Sequence, residues 1–267
     1  MSSLLVKSEK RSHQHCITHI TPESAGWKYV GFEVYELKTG DYLDFSGCDQ
    51  EVCLVLVAGK CSVITEDSTL TDIGGRMSPF DKIPPHGVYL PMATDFRVIA
   101  TTDLELAVCK APGKSKIRKV RHLKPEDMTV MDRGEGTNQR LIHNILMPEH
   151  DADSLLITEV YTPGGHSSSY PPHKHDTDDM PRESYLEETY YHRLNPPQGF
   201  AFQRVYTDER DIDETMSVED KDTVLVPRGY HPVAAPHGYE LYYLNVMAGP
   251  TRAWKFHNDP DHEWMLN

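Results

Sequence analysis

Hydrophobic and polar residues alternate along much of the first half of the chain. Over 29–37 (YVGFEVYEL), Val30, Phe32 and Val34 share one face and Tyr29, Glu33 and Tyr35 broadly share the other, the period of two that marks a strand. A turn is expected at Thr39-Gly40-Asp41. Residues 52–58 (VCLVLVA) form a nearly continuous apolar run that ends at Gly59-Lys60, with a partner over 61–65. Pro84-Pro85-His86-Gly87 marks another turn, and 96–100 with 104–109 make a last pair. Short strands cut by Gly and Pro at this spacing predict a sandwich or barrel.

The segment 112–139 breaks the alternation. It is polar, basic over 114–121 and acidic with glycine over 132–136, and it reads as a connection with a short helix after Lys124-Pro125. The basic run reads as a solvated face rather than an anion site. Strand patterns resume at 140–147, 155–162, 186–194, 200–206, 215–218, 223–226 and 240–248, with a long polar loop at 163–183. The halves repeat an order of features. Glu51-Val52-Cys53-Leu54 corresponds loosely to Glu188-Thr189-Tyr190-Tyr191, and PPHG at 84–87 to PRGYH at 227–231. Two similar barrels in tandem are expected, 1–112 and 140–267, joined by 113–139.

Charge and cysteine content then exclude some functions. A formal net charge of -14 repels phosphate backbones, so nucleic acid is not an expected partner, although a local basic pocket can still hold a small anion. The five cysteines all lie at or before Cys109, are odd in number and show no CxxC spacing, which fits a reduced cytoplasmic protein. The opening MSSLLVKSEKRSHQHC has no apolar run of signal-peptide length, and no stretch is long and apolar enough for a membrane helix.

The strongest chemical signal is GGHSSSYPPHKHD at 164–176. On a strand, His173 and His175 point to the same side and both imidazoles can reach one ion. RESYLEETYYHRL at 182–194 offers Glu183, Glu187 and Glu188 as a carboxylate ligand. With a strand over 187–194, Glu188, Tyr190 and His192 share one face and Glu187 takes the other. His231 follows a tight Pro-Arg-Gly turn, with His237 a weaker rival. Three imidazoles and one carboxylate suit a divalent transition metal and leave positions open for substrate, a catalytic rather than a closed structural set. The first half offers no such set. The cluster His13, His15 and His19 and the lone His86 read as structural, so the first barrel is expected to be metal-free.

These residues carry a family resemblance. H-x-H, a later Glu, and a P-x-G turn followed by His resemble the two cupin motifs. SYPPHKHD, PRESYLEETYYHRLNPPQGFAFQRVYT, VLVPRGYHPVAAPHGYELYYLNVMAGP, NDPDHEW and the early GWKYVGFEVYEL resemble the 5-deoxy-glucuronate isomerase family of bacterial myo-inositol breakdown. A more distant similarity is to the 4-deoxy-5-hexosulose-uronate ketol-isomerases. The resemblance spans nearly the whole chain and implies an all-β bicupin fold. It also implies isomerisation of 5-deoxy-D-glucuronate to 2-deoxy-5-keto-D-gluconate, with His173, His175, Glu188 and His231 matching the metal ligands. Zinc is the leading expectation for the cation, ahead of manganese or iron. Two departures stand out. Glu188 follows His175 by thirteen residues where general cupins use four or five, and a single residue separates Gly229 from His231 where two are usual.

For such a reaction the expected proton-transfer groups are Glu188, Glu187 or Tyr190. Arg182, Arg204 and Arg228 are candidates for the substrate carboxylate, Arg182 first, and Gln203 and Tyr206 are candidates for lining the pocket. A homo-oligomer is expected because barrels with exposed apolar strands often pair. The rival readings are an Fe(II) cupin dioxygenase and a non-enzymatic sugar-sensing or storage cupin.

Overall fold

A computed structural model describes residues 2–9, 15–115 and 118–266. The chain divides into two units: an N-terminal one of Ser8–Thr129 and Ile145–Leu155, and a C-terminal one of Met1–Lys7, Val130–Asn144 and Leu156–Asn267.

In the N-terminal unit the large sheet runs in the order Arg121–Leu123, Gly87–Leu90, Gln50–Ala58, Leu104–Pro112, Gly31–Leu37, Cys16–Ile20. A smaller sheet of Tyr42–Phe45, Phe96–Ala100, Cys61–Thr65 and Thr69–Ile73 supplies the other wall. Tyr35, Leu54, Leu56, Val63, Val98, Leu106 and Val108 fill the space between them. The continuous apolar run at 52–58 follows from burial on both faces of that strand.

The large sheet of the C-terminal unit repeats the same order. Thr223–Val226, Glu187–Asn195, Glu240–Ala248, Leu156–Thr162 and Arg140–Leu146 occupy the places of Gly87–Leu90 through Cys16–Ile20, and a four-stranded sheet built on Phe200–Tyr206 completes the barrel. The tandem repeat read from the sequence is thus visible in strand order, but its register needs correction. Leu90 and Val226 each end a strand that leads into proline, Pro91 and Pro227, with Ala93 (φ 61) and Gly229 (φ 91) both left-handed two residues on. Leu90 pairs with Val52 and Val226 pairs with Glu188. Val52, not Glu51, therefore stands where Glu188 stands, and PPHG precedes its strand whereas PRG follows its own. A slip of one residue exchanges the faces of a strand, so Glu51 is turned away from the barrel interior and Val52 puts no metal donor there.

The expected boundaries also shift. Leu5 and Val6 pair with Val224 and Thr223, and buried Leu4 joins the C-terminal core. A two-residue strand is too short to show a period, which hid it in the sequence. The 113–139 connection is not a separate piece. Arg121–Leu123 pairs with Gly87–Leu90, a 3-10 turn Pro125–Asp127 stands where a helix was expected, and residues from Val130 belong to the C-terminal unit. In the basic run Arg118 pairs with Asp153 and Asp151, while Lys116 lies outside the described residues. His86 is not alone: its Nδ1 lies 2.8 Å from His122 Nε2. His15 and His19 sit beside Asp41 and Glu33, and His13 lies outside the described residues.

Segment 145–155 is held by Glu51. Its fully buried carboxylate accepts the backbone N–H groups of Asp153 (2.7 Å), Ser154 (2.7 Å) and Leu155 (2.6 Å) and the Tyr89 hydroxyl (2.7 Å). Glu51→Gln would turn an amide NH2 onto donors in either flip. The expected cost is about 3 kcal/mol, read as a lower urea midpoint at unchanged m-value; an unchanged midpoint would show that other contacts hold the segment.

Candidate active site

Three side chains converge inside the C-terminal barrel. One ligand atom each from His175, Glu188 and His231 lies within 4.8 Å of the others, and all three residues are buried. His175 Nε2 is 3.0 Å and His231 Nε2 is 3.3 Å from the same Glu188 oxygen.

Local structure explains how each arrives. Glu188 lies on Glu187–Asn195, where alternation turns Glu188 and Tyr190 inward. His175 is clamped to the start of that strand: Leu186 N–H donates to the His175 carbonyl at 2.9 Å, and His175 Nδ1 lies 3.1 Å from the Leu186 carbonyl. The intervening loop folds back on itself, with Glu183 accepting the N–H groups of Asp176 (2.7 Å) and Thr177 (3.0 Å). That closure brings residues thirteen apart into contact and explains the unusual spacing. His231 depends on Gly229, whose φ of +91 favours glycine and where a Cβ would meet the Tyr206 carbonyl at 2.4 Å. The Gly229 carbonyl lies 2.8 Å from His231 Nδ1.

A carbonyl can only accept, so Nδ1 carries the proton in both rings and Nε2 is the atom turned to Glu188. His231 Nε2 is buried with no hydrogen-bond partner. An unpartnered His231 Nε2 turned to the carboxylate that His175 also meets is an arrangement a bound cation resolves, and N,N,O donors suit a divalent transition metal. Burial pushes His231 down to about 3, with Glu188 acting against it. Burial also pulls His175 down, but the Glu188 carboxylate more than offsets this and its pKa ends above the usual imidazole value. His173 stands beside the group on the cavity wall, its ring centre 4.8 Å from His231 and 6.3 Å from His175. Its enclosed setting, with His175, Arg133 and Arg140 nearby, pushes it to about 3. His231 and His173 therefore stay neutral and ready to ligate at physiological pH.

The cluster opens on a cavity of about 960 Å³ whose walls include His173, Glu188, Tyr190, Tyr243 and Asn245. Tyr190 OH lies 3.2 Å from Ser169 Oγ. Burial, and then the Glu188 charge, push the Tyr190 phenol well up, so it stays a proton donor.

Several expected site residues lie elsewhere. Glu187 is buried on the opposite face of its strand and does not line the cavity, Glu183 closes the loop, and His237 is exposed. Arg182 is exposed and paired with Asp179; Arg204 pairs with Asp213 and Arg228 with Asp211. None of these arginines lines the cavity. Gln203 is buried against His192 (Oε1 to Nε2 2.9 Å), and Tyr206 donates to Asp259 at 2.7 Å. The cavity instead uses Arg133, Arg140, Trp254 and Phe256, for which the spacing of polar residues in the sequence carries no signal.

The chain matches known proteins over its full length. The model of the KduI/IolB family matches residues 4–265. The chain is 56% identical over 266 residues to the 5-deoxy-glucuronate isomerase of Geobacillus thermodenitrificans, covering 100% of this chain and 97% of that protein. It is 48% identical over 271 residues to the protein of the same name from Bacillus subtilis strain 168, covering 100% and 99%. An IolB-like protein from Salmonella typhimurium LT2, solved by crystallography, superposes with a TM-score of 0.96 at 54% identity, over 100% of both chains. A Bacillus subtilis oxalate decarboxylase mutant shares the fold alone, with a TM-score of 0.66 at 11% identity over 97% of this chain and 80% of that one. The fold is all-β, two cupin-type barrels in tandem. With the family match extending through both barrels, the chain belongs to the KduI/IolB family.

Proposed function

We propose that this protein is an aldose–ketose isomerase that converts 5-deoxy-D-glucuronate to 2-deoxy-5-keto-D-gluconate in inositol breakdown, with one divalent cation, zinc before manganese or iron. The observation that carries the chemistry is the convergence of His175 and His231 on Glu188 at the wall of a cavity; the full-length likeness to named 5-deoxy-glucuronate isomerases supplies the substrate.

His175, Glu188 and His231 would hold the cation, with His173 as the fourth ligand. When bound, the cation acts as a Lewis acid toward the oxygens of the substrate's carbonyl and adjacent hydroxyl. The remaining work falls to the chain. One proton must leave the carbon beside the aldehyde and reach the aldehyde carbon, and another must pass from the hydroxyl oxygen to the carbonyl oxygen. Of Glu183, Glu187 and Glu188, only Glu188 lines the cavity, and unlike the exposed Glu135 on the same wall it is buried beside the imidazoles, which supports it as the group that moves the carbon-bound proton. Tyr190, kept protonated by burial and linked to Ser169, is placed to hydrogen-bond a substrate oxygen and pass the second proton. The five cysteines are all free, which supports work in a reducing cytoplasm, and a homo-oligomer remains part of the proposal, to be read by light scattering.

Three outcomes are expected. His231→Ala or Glu188→Gln should lose stoichiometric metal by elemental analysis and about 10³-fold in kcat/KM; activity that survives complete metal loss would overturn the scheme. Turnover in D2O should place deuterium on the former aldehyde carbon of the product by NMR, whereas its absence would point to direct hydrogen transfer. Tyr190→Phe should keep its metal and lose about 10- to 100-fold in kcat; an unchanged kcat would remove Tyr190 from the proton path.

A further inference from the structure

Beside His173 the cavity wall carries two cations. Arg140 is 6% exposed and opens the strand Arg140–Leu146; Arg133 is exposed, its guanidinium carbon 5.7 Å from the centre of the Phe256 ring. Both line the cavity. A buried arginine is ordinarily neutralised by a carboxylate, and even the half-buried Arg118 and Arg193 are paired with Asp153 and Asp220. Among the described residues no carboxylate pairs with Arg140 or Arg133. One Nη of Arg140 donates to both the carbonyl and the side-chain oxygen of Asn138, each at 2.9 Å, and the other to the Tyr170 carbonyl at 3.5 Å.

Those three contacts leave two of the five guanidinium N–H groups, the Nε–H and one on Nη2, as donors for an anion. Nε and Nη2 are one of the nitrogen pairs through which a guanidinium meets the two oxygens of a carboxylate. The cation is also held at a cost. Burial works against its charge and Arg133 adds to the penalty, with only the phenols of Tyr243 and Tyr190 opposing. An anionic ligand would relieve both cations at once. A protein of net charge -14 thus sets two arginines that pair with no carboxylate among the described residues on the cavity wall that His173 and Glu188 share, where Glu135 is the other carboxylate.

We propose that Arg140, assisted by Arg133, is the anion subsite of this cavity and receives the carboxylate of a sugar acid whose carbonyl end reaches Glu188 and the imidazoles. The assignment rests on the isomerase reading for its substrate, but its test does not. Trp254 and Trp264 line the cavity, so their emission can follow titration of the metal-loaded full-length protein with D-glucuronate and with its uncharged isostere D-glucuronamide. The wild type should bind the acid about tenfold or more tightly than the amide. Arg140→Met should abolish that preference with metal content unchanged. Arg140→Lys, which keeps the charge and loses the fork, should cut it about threefold or more, and it decides the matter if the methionine variant does not fold. Equal wild-type affinities, or a preference that survives either Arg140 substitution undiminished, would overturn the subsite. Turnover of 5-deoxy-D-glucuronate is scored separately. No turnover with charge discrimination intact sinks the isomerase reading and leaves the subsite standing; turnover without discrimination does the reverse.

Discussion

A strand shows alternate residues to its two faces, and a chain carrying Glu187 and Glu188 side by side can turn only one of them into the barrel. Everything chemical in this protein depends on that constraint. With Glu188 inside, the strand delivers a carboxylate to His175 and His231 and places Tyr190 two residues further along the same wall. Had the register slipped by one, Glu187 and Thr189 would face the cavity and the imidazoles would have no anion to converge on. The pairing of Glu188 with Val226 and Met247 on the flanking strands fixes that register.

The N-terminal barrel uses the same constraint to the opposite end. Val52 occupies the place of Glu188 and points inward among Leu54, Leu56 and Leu90, while its neighbour Glu51 turns outward to gather three backbone N–H groups and a tyrosine hydroxyl. Both barrels thus place glutamate at nearly the same point of one topology, yet one carboxylate meets imidazoles and the other meets backbone. A one-residue offset separates a candidate metal site from a structural anchor.

Much of this was legible in the sequence. Alternation located the long strands, and the order of H-x-H, strand glutamate and turn histidine picked out side chains that the fold brings together. The departures from usual cupin spacing were visible as well, but their resolution was not, because it lies in contacts that spacing does not encode: the Glu183 loop closure and the His175–Leu186 clamp. The short strands, Leu5–Val6 and Ser167–Ser168 among them, were too brief to establish a period. The three arginines proposed from the sequence lie off the cavity for a different reason. Arg182, Arg204 and Arg228 sit in the motif-rich segments, but nearness in sequence says nothing about partners, and each is already matched to an aspartate. Arg140 opens an unremarkable strand, and only its burial without a counter-ion distinguishes it.

The pairing of Leu5–Val6 with the outer edge of Thr223–Val226 has a consequence for how the molecule is made. On the ribosome these residues emerge long before their partner, so the nascent chain must carry Leu4 and a strip of unpaired backbone in water until nearly all of the C-terminal barrel has been translated. That edge of the C-terminal barrel is sealed by residues made far ahead of it in translation. Until then the Thr223–Val226 edge is open to any strand that meets it, including one from a neighbouring polysome product.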